Sequence, residues 1–249
     1  IYRVGYNKAP AYTPVSLKTP AECIAALSNS NLFWRLNAQR LLVERGNKDV
    51  VPALVALIGS AKTDEIGLAP GAIHALRTLE GLGVLPMDAL ARAMKHSSAA
   101  VRKQAVQVLP RTAASAKLIL DQKMLNDKDS LVVLHSILAL IESPSSPAVE
   151  AAMARNFAKA AATAGVKQIV YLGGIANDAK SSKHLASRAR TGSELATGST
   201  PVMEIRAGII IGSGSASFEM LRHLTHRLPI MTTPKWVANR THPIAIRDV

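Results

Sequence analysis

The stretch Gly212-Ser213-Gly214-Ser215-Ala216-Ser217 could do chemistry. It follows an apolar run and opens a helical pattern, the setting in which backbone N–H groups at a glycine-rich turn receive a phosphate. Two features weaken that assignment. Ser217 stands where a third glycine belongs, and no acidic residue lies about 20 positions on to hold a ribose. The residues predict a tight turn with a serine capping the helix; an independent phosphate loop is the alternative. On the same helix Glu219, His223 and His226 recur at i, i+4 and i+7. Imidazole and carboxylate suit zinc, but ligands on consecutive turns of one helix converge poorly, so this is read as a polar stripe opposite Phe218, Leu221 and Leu224. His74, His96, His135 and His242 are isolated and read as structural, and Asp64-Glu65 and Asp127-x-Asp129 read as loop or capping residues. The single Cys23 rules out an internal disulfide or a cysteine-based zinc site.

The elements carrying these residues change character near residue 150. Beyond it, Asn156–Ala164 reads as a helix closed by Gly165, and Pro147 suits a start that lets this helix run on from Ala148. Gln168–Leu172 is an unbroken apolar run ending at Gly173-Gly174, the pattern of a doubly buried parallel strand. Ser187–Ala196 and Ser217–Leu228 read as helices, Val202–Ile211 as one strand, and Ile244–Ile246 as a short strand before Asp248. Strand and helix alternate, so this half is α/β.

Before residue 150 the pattern is purely helical and periodic. Trp34-Arg35-x-x-Ala38-x-x-Leu41-Leu42 returns as Val101-Arg102-x-x-Ala105-x-x-Val108-Leu109, with weaker copies at Leu68–Leu76 and Val132–Leu140. The small residue falls at 38, 72, 105 and 136, in steps of 34, 33 and 31 residues. Apolar residues at i, i+4, i+7 and i+8 make one helix stripe, and a small residue in it lets a neighbour approach. Each unit is preceded by another helix: Ala21–Leu27, Val50–Ile58, Asp88–Met94 and Ser115–Leu125. Helix pairs repeated at this spacing bury their faces by stacking.

The chain has 249 residues, is 48% hydrophobic and carries a net charge of +13. Its Lys and Arg are scattered, with no basic run and few aromatics between them. That predicts solubility and a taste for anionic ligands, not nucleic-acid binding. No run reaches the ~18 apolar residues of a membrane span.

Two resemblances follow. The pair frame resembles HEAT-type repeats, and Leu32-Phe33-Trp34-Arg35 with Ala38–Gly46 resembles the helical region of large bacterial membrane-bound dehydrogenase-like proteins that also carry a β-propeller and a cytochrome c domain. Ile1-Tyr2-Arg3-Val4 resembles their final propeller strand, and Lys8–Pro20 a linker. No haem motif is present, so this resemblance implies a scaffold. Ala164–Gly174, Arg206–Arg222, Pro234–Val237 and His242–Val249 resemble the later half of an atypical short-chain dehydrogenase/reductase with an NAD(P)-binding Rossmann fold. That family places a Tyr-x-x-x-Lys pair after this strand; here the counterpart is His184-x-x-x-Arg188. The resemblance therefore implies His184 as a proton-transfer group and Arg188 as a ribose or phosphate holder that keeps its own proton. The bland reading of His184 is an exposed residue at a helix start. Gly173, Gly174, Arg206, Ala207 and Gly208 are the implied cofactor-binding positions. By the same resemblance strands 1 to 4 and the glycine fingerprint are absent, with helical repeats in their place.

The expectation is an α plus α/β chain: an extended segment over 1–19, HEAT-like helical repeats over 20–152 and a partial Rossmann-type domain over 153–249. Its expected role is a helical scaffold joined to an incomplete NAD(P)-binding oxidoreductase-type domain without a complete active site. The alternatives are a reductase completed by a partner chain, and a pure protein-interaction module. NAD(P) is the implied cofactor, and its binding is put in question by the missing fingerprint. No metal is expected. The expected partners are a protein on the helical repeat and self-association through an exposed sheet edge. The later half leans towards a cytoplasmic setting.

Overall fold

The computed structural model describes residues 14–60, 62–175, 182–212, 214–228 and 242–248, and of His184 and Ser217 the backbone alone. The expected propeller-like segment at 1–4 and the motif at 234–237 lie outside the described residues, as does the part of the linker over 8–13. The architecture is mostly helical with two small parallel sheets. The chain divides into two compact units between Ser145 and Ser146.

The first unit is a run of helix pairs. α1 (Pro20–Ala26) pairs with α2 (Leu32–Arg45), α3 (Val51–Ile58) with α4 (Pro70–Gly81), α5 (Met87–Ala93) with α6 (Ala99–Gln107), and α7 (Ala113–Asp121) with α8 (Ser130–Ile141). Each second helix also packs on the next, in the order α2, α4, α6, α8. Local chemistry sets the ends. Thr19 and Glu22 form a reciprocal capping box ahead of Pro20. Asn31 caps α2, which Gly46 closes in the left-handed conformation that a side chain disfavours. Asp129 caps α8 by accepting from the Leu131 and Val132 N–H groups.

The small residue of each repeat is where the helices meet. Ala38, Ala72, Ala105 and Ser136 are all buried, and Ser136 satisfies its hydroxyl by donating to the Val132 carbonyl at 2.8 Å. Leu42, Leu76, Leu79, Val101 and Leu140 fill the core beside them. Truncating any one of these leucines to alanine removes apolar burial and leaves a hole, a loss of about 2–5 kcal/mol.

The second unit begins with α9 (Pro147–Thr163), a single helix continuous across residues 152 and 153, capped by Ser146 and started by Pro147. β1 (Ile169–Gly174), α10 (Lys183–Leu195) and β2 (Val202–Ala207) follow, with β1 and β2 parallel in the register Ile169 to Val202 through Gly174 to Ala207. Ala154 and Ala158 of α9 and Leu195 of α10 form its core, with Tyr171 and Val202 against it. The strand expected over 202–211 is two strands. A bend at Gly208 ends β2, and β3 (Ile210–Ile211) pairs instead with β4 (Ile244–Ala245) around α11 (Ala216–Arg227). Ile246, expected in the last strand, lies in a 3-10 turn over Ile246–Asp248.

Candidate functional site

Open α/β sheets bind ligands beyond the carboxyl ends of their strands, so the ends of β1 and β2 are the place to look. Five of the expected residues meet there. Gly173 lies opposite Arg206, and Gly174 opposite Ala207. Arg188 sits on α10 above them: its carbonyl accepts the Tyr171 hydroxyl at 3.0 Å, and its side chain passes by Gly174. Gly208 is the bend that follows β2. His184 is the second residue of α10, at a helix start; its side chain lies outside the described residues.

The space at the two glycines is already occupied. A Cβ on Gly174 would come within 2.8 Å of Leu185 Cδ2, and one on Gly173 within 2.8 Å of Glu204 Oε1. A Cβ on Gly192 of α10 would meet the same Glu204 carboxylate at 3.1 Å. The glycines therefore seat a leucine and a carboxylate. Glu204 Oε2 accepts from Arg206 Nη2 at 2.9 Å, while Oε1 is buried and accepts no hydrogen bond among the described residues. A carboxylate at this point repels a pyrophosphate, and its bond to Arg206 competes with the anion contact expected of that arginine. Leu185 and Glu204 thus fill the space that side chains at Gly174 and Gly173 would otherwise take.

Glu204 and Gly192 are the residues that sequence reasoning missed here. Their signal was available: Val202-Met203-Glu204-Ile205-Arg206 places a carboxylate among apolar strand residues, and Gly192 falls inside a helical pattern. Only the register of β1 against β2 places Glu204 beside Gly173.

The other edge of β1 carries no strand among the described residues. Beside it runs a groove of about 490 Å³, lined by Met153, Phe157, Val170, Tyr171 and Leu195 among others. The opposite sheet face is also uncovered: Val170 is 60% exposed, and Met203, its register partner, is exposed too.

At the candidate phosphate loop, Gly214 has φ +85°, as a tight turn requires, but the space beside Gly212 is filled by Ile246. Ser215 holds the cap position of α11 without a side-chain hydrogen bond, which differs from the expected serine cap because its hydroxyl does not reach the first-turn amides. Ser213 and the Ser217 side chain lie outside the described residues. On α11, Glu219 pairs with Arg222 at 2.7 Å and lies 3.9 Å from His223. No cluster of three metal-binding side chains occurs among the described residues. No helix among them is long and apolar enough to cross a membrane.

The first unit carries its own polar constellation. Arg35 donates to the carbonyls of Asn29 and Ser30, and Arg102, at the equivalent position, to those of His96 and Ser97. Each arginine thus ties down the loop ahead of its own helix. Arg35 Nε also donates to His74 Nε2 at 3.2 Å, which leaves His74 Nδ1 to carry the proton that Gln39 Oε1 accepts at 2.7 Å. Burial, aided by the Arg35 charge, pulls the His74 pKa down to about 4, so the ring is neutral at pH 7. His74, His96 and His135 all make hydrogen bonds between or within the pairs, as structural residues would.

No protein-family model matches the chain, and no curated protein matches it.

Proposed function

We propose that the chain is a helical-repeat scaffold of HEAT type joined to an incomplete NAD(P)-binding oxidoreductase-type domain that has no complete active site. The observation that carries this reading is the seating of Leu185 and Glu204 at Gly174 and Gly173, where a dinucleotide would need open backbone. Support for the repeat comes from the arginine that recurs at residues 35 and 102 with the same loop partners, and from four buried small residues at near-constant spacing. The scaffold's work is protein binding along its second helices.

Calorimetric titration of the folded chain with NADPH tests this. No heat of binding at millimolar cofactor is expected; saturable one-to-one binding overturns the proposal.

One observation favours a second reading, a reductase completed by a partner chain. The edge of β1 that carries no strand among the described residues, and the exposed Val170 and Met203 face, are surfaces that a complete parallel sheet covers. On that reading NADPH binding appears only when a second polypeptide supplies the missing strands, and His184 and Arg188 then become the residues to substitute.

A further inference from the structure

An arginine reaches from each helix pair to the next, and each meets a different acceptor. Arg35 of α2 donates to the His74 imidazole of α4, Arg77 of α4 to the Gln107 amide oxygen of α6, and Arg102 of α6 to the Asp127 carboxylate ahead of α8. Of these acceptors only the imidazole becomes a cation when it takes a proton. His74 Nε2 lies 3.2 Å from Arg35 Nε, and its Nδ1–H is held by Gln39 Oε1 at 2.7 Å. A proton on Nε2 therefore sets two N–H groups and two positive charges face to face. A guanidinium has no acceptor to offer and keeps its own proton. Arg35 is also not free to turn away, since its Nη1 holds the Asn29 and Ser30 carbonyls of the loop between α1 and α2.

The surrounding charges do not offset that proton. α2 brings Arg40 and Glu44, bonded to each other, and α3 has no ionisable side chain. α6 brings Arg102, engaged by Asp127, and Lys103, while on α4 itself Arg77 is bonded to Glu80. Among the described residues no carboxylate bonds the His74 ring. The other histidines between pairs differ. His96 Nε2 faces the Ser60 carbonyl, which a protonated ring still satisfies, and its Nδ1 meets the Ser98 N–H inside its own loop. His135 faces the Gln107 amide, which can turn its oxygen to a charged ring.

We infer that the joint between the first two helix pairs is an acid-released latch, in which protonation of His74 frees α1 and α2 from α4 while the joints made by Arg77 and Arg102 hold. Burial and the Arg35 charge hold the His74 pKa at about 4 in the closed joint. Release therefore begins as pH falls below the ordinary histidine value of about 6.5 and levels off below the closed-joint value. An end pair can leave a repeat array separately because each pair is tied to its neighbours. The inference rests on contacts within the first unit and goes beyond the scaffold reading.

Hydrogen exchange of the full chain at pH 7 and pH 5, each rate divided by that of an unstructured amide at the same pH, tests it. Protection of α1 and α2 is expected to fall about tenfold at pH 5, allowing for solvent screening of a part-exposed ring, while α6 and α8 change less than about twofold. His74→Gln keeps a neutral acceptor for Arg35 and is expected to abolish the fall. An equal loss of protection along all the helices, or a loss in α1 and α2 that survives His74→Gln, overturns the inference. Should His74→Gln loosen the pair at pH 7 as well, the ring NMR signals of His74 in the wild type decide. A titration midpoint well below the usual ~6.5 supports the latch. A midpoint at the usual value overturns it, because a closed joint that accepts the proton freely is not released by it.

Discussion

Arg102 and Asp127 are joined by two parallel hydrogen bonds, Nε to Oδ2 at 2.7 Å and Nη2 to Oδ1 at 2.8 Å. Their side chains are only 8% and 9% exposed. The pair links α6 to the loop ahead of α8, while the remaining guanidinium nitrogen holds two backbone carbonyls of the loop ahead of α6. One side chain thus fixes both joints of a repeat. The hydrogen bonds from Arg102 hold the Asp127 carboxyl below the usual carboxylate range.

Asp127→Ala is expected to destabilise the first unit by about 3–5 kcal/mol, because it leaves a buried guanidinium without its counter-charge. Arg102→Met/Asp127→Leu is expected to cost much less, since neither charge then remains. Urea unfolding of the two variants checks the difference. Equal losses in both would show that packing volume, and not the unpaired charge, sets the cost. Because the folded pKa of Asp127 is depressed, the pair's contribution is complete above pH ~4 and is lost as pH falls through the lower folded value.

His74 gives a second acid window. Its folded pKa is about 4, against the usual 6.5. Between these values the unfolded chain binds a proton that the folded one does not, so stability declines from pH ~6.5 downward and levels off below ~4. For a part-exposed ring the total is on the order of 1–2 kcal/mol after solvent screening. His74→Gln is expected to flatten this slope in unfolding curves taken at pH 7, 6 and 5. An unchanged slope would assign it elsewhere.

At Gly174 a methyl group and Leu185 compete for one space. Gly174→Ala is expected to cost about 1–3 kcal/mol by overpacking. Adding Leu185→Ala should recover part of that loss, giving a coupling of about 0.5 kcal/mol or more in a double-mutant cycle. Strict additivity in thermal melts would mean that Leu185 is not what fills the glycine's space.

Val170→Lys places a charge on the bare face and edge of the small sheet. Stability is expected to stay within about 0.5 kcal/mol, as for other exposed positions, while light scattering on heating falls. A charge is the ordinary guard on a strand edge. Unchanged scattering would locate the aggregating surface elsewhere.

The helix pairs were legible because their signals are local. Ala38, Ala72, Ala105 and Ser136 mark the repeat by spacing alone, and all four are buried. Pro147 marked the start of α9 because proline fits the first helical turn. The second unit was legible as strand and helix, but the break at Gly208 was not, since an apolar run does not reveal which partner each half takes. At the candidate site, the meeting of Gly173, Gly174, Arg206 and Arg188 follows from a parallel pair with a helical crossover. The Glu204 carboxylate did not, because its position depends on strand register and on Gly192, eighteen residues from Gly174 in the chain. The Arg102–Asp127 bond was missed for a similar reason: Asp127 reads as a loop acid until α6 is set beside it.

The loop clamps of Arg35 and Arg102 span only five or six residues, and every larger contact in the first unit joins neighbours in the stack. Such a unit behaves as a row of linked springs. Under tension applied at its ends it should yield one pair at a time, in a saw-tooth of separate ruptures, because among the described residues the substantial helix packing ties each pair to its neighbours and not the first pair to the last.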